Sequence, residues 1–310
     1  MANEIVYSTQ GGNTRLTEDI NAAVMALLDG VVDIRSVVAY RGDLAGSGSS
    51  VNRLAQATYD DSMAPDTEIG TVANTTLSTN NSEITIARQD LSREASHLYT
   101  ITGRAGFHQL DAGTIAMDAR NAGLRRFSAM IAALHASLSS SVGTSGVDAT
   151  VDDVYDAKFT LNLANAEMAG LTALLHNQQI NDIVSSMRGE ANINLEGEGL
   201  NALSVQPIGF KFAFRGINFW QSDQVPTADA TANRDGAIFA PGCFGYADAS
   251  PSALAGVPGV DMSAISGVDS PIWVQFDHDP RAGTYSAIYN WYLGVGENED
   301  ARGVRFKTDA

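Results

Sequence analysis

Along residues 111–140, large apolar side chains recur at helical spacing. Met117, Leu124, Phe127, Ile131, Leu134 and Leu138 fall three, four or seven positions apart. Only a period near 3.6 residues keeps such positions on one face, so the segment reads as an amphipathic helix with Asp111 as its N-cap. About 30 residues at 1.5 Å each make a rod of roughly 45 Å. The tract Ser139-Ser-Ser-Val-Gly-Thr-Ser-Gly146 is expected to end it. A helix with one apolar stripe needs a sheet laid along it.

Upstream the period changes. Glu83-Ile-Thr-Ile-Ala-Arg88 alternates apolar and polar positions, the signature of a strand. Before it, Thr67 to Thr79 is rich in threonine and poor in large apolar residues, and Asn80-Asn-Ser82 carries turn chemistry. Residues 66–90 therefore read as a long β-hairpin with one weakly apolar face. A lone two-stranded hairpin is marginal in water, so it is expected to lie over its own domain or on a neighbouring subunit. Residues 1–45 read as an arm leading into a short helix. Thr17 caps it, Glu18 and Asp19 occupy its first turn, and Ile20, Val24, Leu27 and Leu28 form a narrow stripe. Val37-Val-Ala-Tyr-Arg-Gly42 reads as a strand and Gly46-Ser-Gly-Ser-Ser50 as a flexible connector.

The second half mixes both periods. Thr150 is placed to cap a helix whose first turn carries Asp152 and Asp153. Gly170-Leu-Thr-Ala-Leu-Leu175 reads as a buried strand and Asn177 to Arg188 as a helix. Strands are then expected at Ile208–Phe214, Ile217–Trp220, Ala237–Tyr246, Ile272–Phe276, Thr284–Gly294 and Gly303–Thr308, with a long Ala/Gly/Ser/Pro loop over 247–270. Helices and strands alternate without a regular βαβ repeat, which predicts an α+β fold.

Composition narrows the function. The chain has 310 residues, 44% hydrophobic, and a formal net charge of −17. Such a surface repels nucleic acid unless a basic patch is built locally; the densest basic spot, Arg125-Arg126, reads as a solvated helix face. No stretch approaches the roughly 18 apolar residues of a membrane span. The opening Met-Ala-Asn-Glu-Ile-Val-Tyr lacks the basic and apolar regions of a secretory leader. A single cysteine, Cys243, excludes an intrachain disulfide and suits synthesis in a reducing cytosol.

Candidate chemistry is sparse, and no catalytic, cofactor-binding or metal-ligating residue is assigned. His97, His108, His135, His176 and His278 include no pair at metal-ligand spacing. Asp277-His-Asp279 reads as a turn after a strand, and Glu297-Asn-Glu-Asp300 as a solvated acidic turn without the alternating ligands of a calcium loop. Cys243 has no base beside it in sequence and is expected mid-strand as a small buried residue. Glu196-Gly-Glu-Gly199 is glycine-rich, but its carboxylates would repel phosphate. Arg41-Gly-Asp43 matches an adhesion tripeptide and Asn74-Thr-Thr a glycosylation acceptor, both short enough to arise by chance. Nucleophile elbow, Walker and dinucleotide fingerprints do not occur. The expectation is a protein that is not an enzyme.

The order arm, long hairpin, long helix and mixed α+β terminal half resembles the major capsid proteins of tailed bacteriophages, the Hong Kong 97-like coat fold. Phe210-Lys-Phe-Ala-Phe-Arg-Gly-Ile-Asn-Phe-Trp-Gln-Ser-Asp-Gln-Val-Pro226 is similar to that family's strand pair ending in a polar-then-proline turn. Tyr292-Leu-Gly-Val-Gly and Arg302-Gly-Val-Arg-Phe-Lys-Thr-Asp-Ala310 resemble its closing strands. The resemblance implies an N-terminal arm over 1–45 and an E-loop region over 46–105, with the hairpin itself near 66–90. It implies a P-domain spine helix within 106–146, an A-domain over 147–250, and P-domain loop and strands returning to the A-domain over 251–310. It further implies pentamers and hexamers of this chain forming an icosahedral head, located in the virion and assembled in the host cytoplasm. Double-stranded DNA would be enclosed without sequence-specific binding, with a portal protein and with scaffolding or decoration proteins as further partners. The family's namesake welds its shell through a Lys–Asn cross-link from the hairpin. Here the lysines are Lys158, Lys211 and Lys307, so that hairpin has none to offer. Rival readings are an encapsulin-type compartment, which shares the fold, a surface adhesin or other virion protein, and a hydrolase with scattered catalytic residues.

Overall fold

The computed structural model describes residues 33–44, 48–54, 81–96, 112–164, 166, 169–189, 210–227, 233–250, 262–264, 272–279 and 281–309. The arm helix at Thr17–Leu28, the threonine-rich segment, Asp111, Glu196–Gly199, Asn74, His97 and His108 lie outside them. In chain order the elements are β1 (Ala39–Asp43), β2 (Ser50–Leu54), β3 (Asn81–Thr85), β4 (Ala87–Ser96), α1 (Ala112–Ala133), β5 (Ser141–Val142), α2 (Val151–Leu163) and β6 (Leu171–Leu175). Then come α3 (Asn177–Gly189), β7 (Phe210–Phe214), β8 (Ile217–Gln221), β9 (Arg234–Phe239), β10 (Phe244–Asp248), β11 (Met262–Ala264), β12 (Trp273–Asp279), β13 (Thr284–Glu297) and β14 (Gly303–Thr308). Among the described residues they make two six-stranded sheets and a separate β2–β3 pair. The fold is α+β.

β13 organises the first sheet. Along one edge it pairs with β12 over its first half and with β10 over its second; along the other edge β4 runs antiparallel from Thr284 to Leu293. β1 joins β10 in parallel and β11 joins β12. Among the described residues β4 is a border strand, and its polar run Gln89-Asp-Leu-Ser-Arg-Glu keeps the outer edge hydrated. α1 lies on this sheet through Ala119, Leu124, Phe127 and Ile131, all buried. The Phe127 ring stacks on Trp291 with centroids 5.9 Å apart and meets Tyr246 edge-on at 5.0 Å. Gly123 marks the close approach, since a Cβ there would sit 2.3 Å from the Ile272 side chain.

The helix is shorter than its stripe. α1 holds 22 residues, about 33 Å, and Leu134–Ser137 tighten into a 3-10 turn before Leu138 becomes extended. The stripe persists because Leu134 and Leu138 still face the core. Local bonds draw the chain off the helical path: the Ser137 hydroxyl donates to the Leu134 carbonyl at 2.7 Å, and the buried His135 ring is tied to β9.

The hairpin also differs from expectation. Asn81 and Ser82 do not turn; they pair with Leu54 and Arg53, so β3's partner is β2, and Ser50 belongs to a strand and not to a connector. The root of this hairpin is fixed by one plug. Ile84, 1% exposed, packs with Leu44 and Ala247 and lies over Gly294 and Gly296 of β13. A Cβ at Gly294 would lie 2.4 Å from the Thr85 carbonyl oxygen, a backbone atom that cannot rotate away. Gly294→Val is therefore expected to destabilise the subunit by about 3 kcal/mol; a urea midpoint equal to wild type would refute this seat for β3.

The second sheet runs β5-β14-β9-β6-β8-β7. Leu171–Leu175 is buried throughout, as a continuous apolar run in a central strand should be. α2 and α3 cover one face, burying Val154, Ala157, Leu161, Ile180, Ile183 and Met187 against it. α2 starts at a reciprocal capping box: the Asp153 amide donates to the Thr150 hydroxyl at 3.3 Å and the Thr150 amide to the Asp153 carboxylate at 2.9 Å. Such boxes contribute about 1 kcal/mol. Inside, the Gln179 amide donates to the Phe306 carbonyl and the Thr308 hydroxyl, while its oxygen accepts from the His176 amide.

The expected single strand Ala237–Tyr246 is two strands in different sheets. Ala240-Pro-Gly-Cys243 turns between them, because Pro241 has no N–H to offer a ladder and Gly242 adopts φ +86°. The chain thus passes from the second sheet into the first at β9–β10. It returns through Glu297–Arg302 into β14.

Candidate functional site

Residues singled out for chemistry are dispersed. Cys243 lies in the β9–β10 turn, not mid-strand, and is fully buried beside Leu138 and Gly303. Burial first, then the charges of Glu297, Asp300 and Glu299, push its thiol well above the ordinary range, the opposite of what a nucleophile requires. Asp277-His-Asp279 is not a turn but the end of β12; the turn follows, with Asp279 accepting from the Arg281 and Ala282 amides at 2.8 and 3.1 Å. His176 sits at the start of α3, where its Nδ1 accepts from the Gln178 amide.

The acidic Glu297–Asp300 segment is not simply solvated. The single Ser137 hydroxyl proton is shared between the Leu134 carbonyl and Glu297, 2.5 Å away, Asp300 takes the Ser139 amide at 2.8 Å, and Asn298 is buried with its amide on the Gly242 carbonyl. Glu299 pairs with Arg302 at 2.6 Å. These carboxylates clasp the end of α1 to the junction between the sheets. Arg125 and Arg126 likewise brace α1, bonding to Asp223 and Gln89 at 2.8 Å each. Arg41-Gly-Asp43 lies in β1, with Asp43 accepting from the Ser250 amide at 3.0 Å.

A further buried polar side chain packs against β9. His135, 0% exposed, has its Nδ1 2.9 Å from the Asp235 carbonyl, so Nδ1 carries the proton and Nε2 has no partner among the described residues. The Asp235 carboxylate is engaged by Arg305. Desolvation lowers the His135 pKa to about 4; Asp235 opposes that shift and Arg305 adds to it. This is a neutral structural imidazole. The cleft between α1 and β4 offers about 50 Å³, against the several hundred that a small-molecule site occupies. Among the described residues no three His, Cys, Asp or Glu side chains group as metal ligands, and no helix is long and apolar enough to cross a membrane.

What the surface does offer is apolar area. Among the described residues Tyr40, Val147, Tyr155, Phe159 and Leu163 are the exposed large hydrophobics. Three of them follow one another at four-residue steps on α2. Its sequence thus carries two stripes, a buried one at Val154, Ala157 and Leu161 and an outward one at Tyr155, Phe159 and Leu163. The outward stripe was readable from the spacing, but reading the segment only as a capped helix misses it.

The fold is shared with known shells. A capsid structure of the cyanophage P-SCSP1u matches with a TM-score of 0.59 at 11% identity, covering 89% of this chain and 88% of that one. A capsid of a native GTA particle matches at 0.55 and 14% identity, covering 90% and 91%. The holo-SrpI encapsulin complex from Synechococcus elongatus matches at 0.52 and 14%, covering 88% and 86%. No protein-family model matches the chain, and no curated protein sequence matches it. At these identities the likeness is one of fold, and it extends over nearly the whole of each chain.

Proposed function

We propose that this chain is the repeating subunit of a bacteriophage head, assembling as pentamers and hexamers into an icosahedral shell around double-stranded DNA. The observation that carries the reading is the fold likeness to phage capsid structures, which covers 88–89% of this chain. Under it, residues 1–45 are the arm, 46–105 the E-loop region and 106–146 the part holding the spine helix α1. Residues 147–250 are the A-domain, and 251–310 return through β13 to β14. The β2–β3 hairpin leaves the first sheet at a single plug, and its ordering entropy is offset when its distal part buries apolar area on a neighbour. A net charge of −17 suits a wall that encloses DNA without adsorbing it. Portal, scaffolding and decoration proteins are the further partners expected, in the virion and during assembly in the host cytoplasm. An encapsulin-type compartment is the second reading, favoured by the match to the encapsulin complex.

The test is expression of the chain followed by mass photometry and negative-stain microscopy. Closed particles or capsomer rings are expected, and a monomer at every concentration overturns the shell reading. Nuclease-protected DNA in native particles supports a phage head; a protein cargo in its place selects the compartment.

A further inference from the structure

Four of the five exposed large hydrophobics among the described residues belong to the second sheet's layer, and they form two separate patches. The first is the outward stripe of α2, where Tyr155, Phe159 and Leu163 are 39%, 60% and 68% exposed. Beside it the β7–β8 turn consists of Arg215 and Gly216, at φ +52° and +83°. Two consecutive left-handed residues make the tight turn that suits a hairpin, and its first position ordinarily takes Asn, Asp or Gly. An arginine there holds a conformation that its side chain disfavours. The Arg215 guanidinium donates to the Tyr155 hydroxyl at 3.2 Å and lies 5.9 Å from the Phe214 ring, and Lys158 donates to the Arg215 carbonyl at 2.5 Å. Cations therefore border this part of the stripe. Asp152 and Asp156 border the first turns of α2.

The second patch has the opposite character. Val147 is 53% exposed next to Asp148, and its carbonyl accepts from the Asp309 amide at 2.8 Å. Asp182 of α3 faces the same place: burial, then the like charges of Asp148 and Asp309, raise its carboxyl above the ordinary range. Three mutually repelling carboxylates thus gather on the side of this apolar knob where Asp148 and Asp309 lie. Asp309 follows β14 and Arg215 follows β7, with β9, β6 and β8 between those strands. Four strand spacings, about 19 Å, separate those strands, and because β7 runs opposite to β14 the two residues also lie at opposite strand ends. The acidic patch does not complement itself, which disfavours a two-fold contact through it. The two patches complement each other, and a contact of that kind repeats head to tail.

We propose that the α2 stripe with Arg215 receives the Val147, Asp148, Asp182 and Asp309 face of a second copy of this chain, in a head-to-tail contact that repeats around a ring. The inference rests on the shell-subunit reading and names the surfaces that would close its capsomers. Val147 meets Phe159 and Leu163, the neighbour's carboxylates meet Arg215, and the contact accounts for an arginine in a turn that glycine would make with less strain.

Charge reversal tests it. Arg215→Glu, and separately Asp148→Arg with Asp182→Arg, are each expected to lower the assembled fraction about tenfold or more at fixed concentration. Combining all three should restore assembly to within about threefold of wild type, since an exchanged ion pair keeps its sign relation. Arg215→Gly is expected to weaken assembly while raising the subunit's own melting midpoint by a few degrees. Mass photometry reads the assembled fraction and circular dichroism the midpoint. Wild-type rings with unaffected reversals, or reversals that the combination does not rescue, overturn this contact and leave the shell reading standing. A wild-type chain that never assembles overturns both.

Discussion

Replacing residues 55–80 with Asn-Gly is expected to leave a folded, soluble subunit that no longer closes into shells. The β2–β3 ladder reaches its last pair at Leu54 and Asn81. A two-residue type I′ turn can join strands at that register without disturbing their twist. What anchors the hairpin lies below the cut: Ile84 in its glycine notch and the β4–β13 ladder that begins at Ala87 and Leu293. The subunit should therefore melt within a few degrees of wild type. A deletion reaching into 81–88 would instead remove β3 and open the first sheet, and its failure to assemble would say nothing about the hairpin. Under the proposed function the removed segment is the part that lies on a neighbour, so particles should be lost outright. Shells of normal diameter by negative-stain microscopy would defeat the fastener role.

Elements that bury one face by themselves were legible in the sequence. α2 announces itself by its capping residue Thr150, α3 by the spacing of Ile180, Ile183 and Met187, β6 by a continuous apolar run, and β14 by alternation. Less legible were elements whose character is set by a distant partner. β4 is polar because it borders β13, whose paired residues lie about two hundred positions later. Asn81 and Ser82 look like a turn and become a strand because Leu54 and Arg53 come to lie opposite them. β9 and β10 read as one strand since nothing local says that the chain changes sheets at Pro241.

The candidate surface shows the same division. Tyr155, Phe159 and Leu163 were visible as a second stripe, but exposure could be assigned only once Val154, Ala157 and Leu161 were seen to occupy the core. The acidic patch was not readable at all. Asp148, Asp182 and Asp309 come from a loop, a helix and the chain's end, and only the fold gathers them. Glu297–Asp300 erred in the other direction: an acidic tetrapeptide reads as solvated, yet the serines after α1 and Arg302 take up its carboxylates.

The subunit should be acid-sensitive through His135. Its imidazole is wedged between the end of α1, β9 and the Phe244 ring, 5.9 Å away, with the Asp235–Arg305 pair as the charged groups facing it. Protonation would place an N–H on Nε2, which has no hydrogen-bond partner among the described residues. The folded pKa is about 4 against an ordinary value of 6.5, so between those pH values the unfolded chain binds a proton that the folded one refuses. Stability from this group is complete above pH 6.5 and falls as the pH drops towards 4, by about 3 kcal/mol in all. Carboxylates titrate nearby, so the measurement is a difference. As the solution is acidified from pH 7 to pH 4, the urea midpoint of wild type should fall more steeply than that of His135→Gln, because glutamine can still donate to the Asp235 carbonyl and does not titrate. Parallel curves would remove His135 as the cause. A steeper wild-type decline would locate an acid-labile point where the end of α1 packs on the start of β9 and on the Phe244 ring.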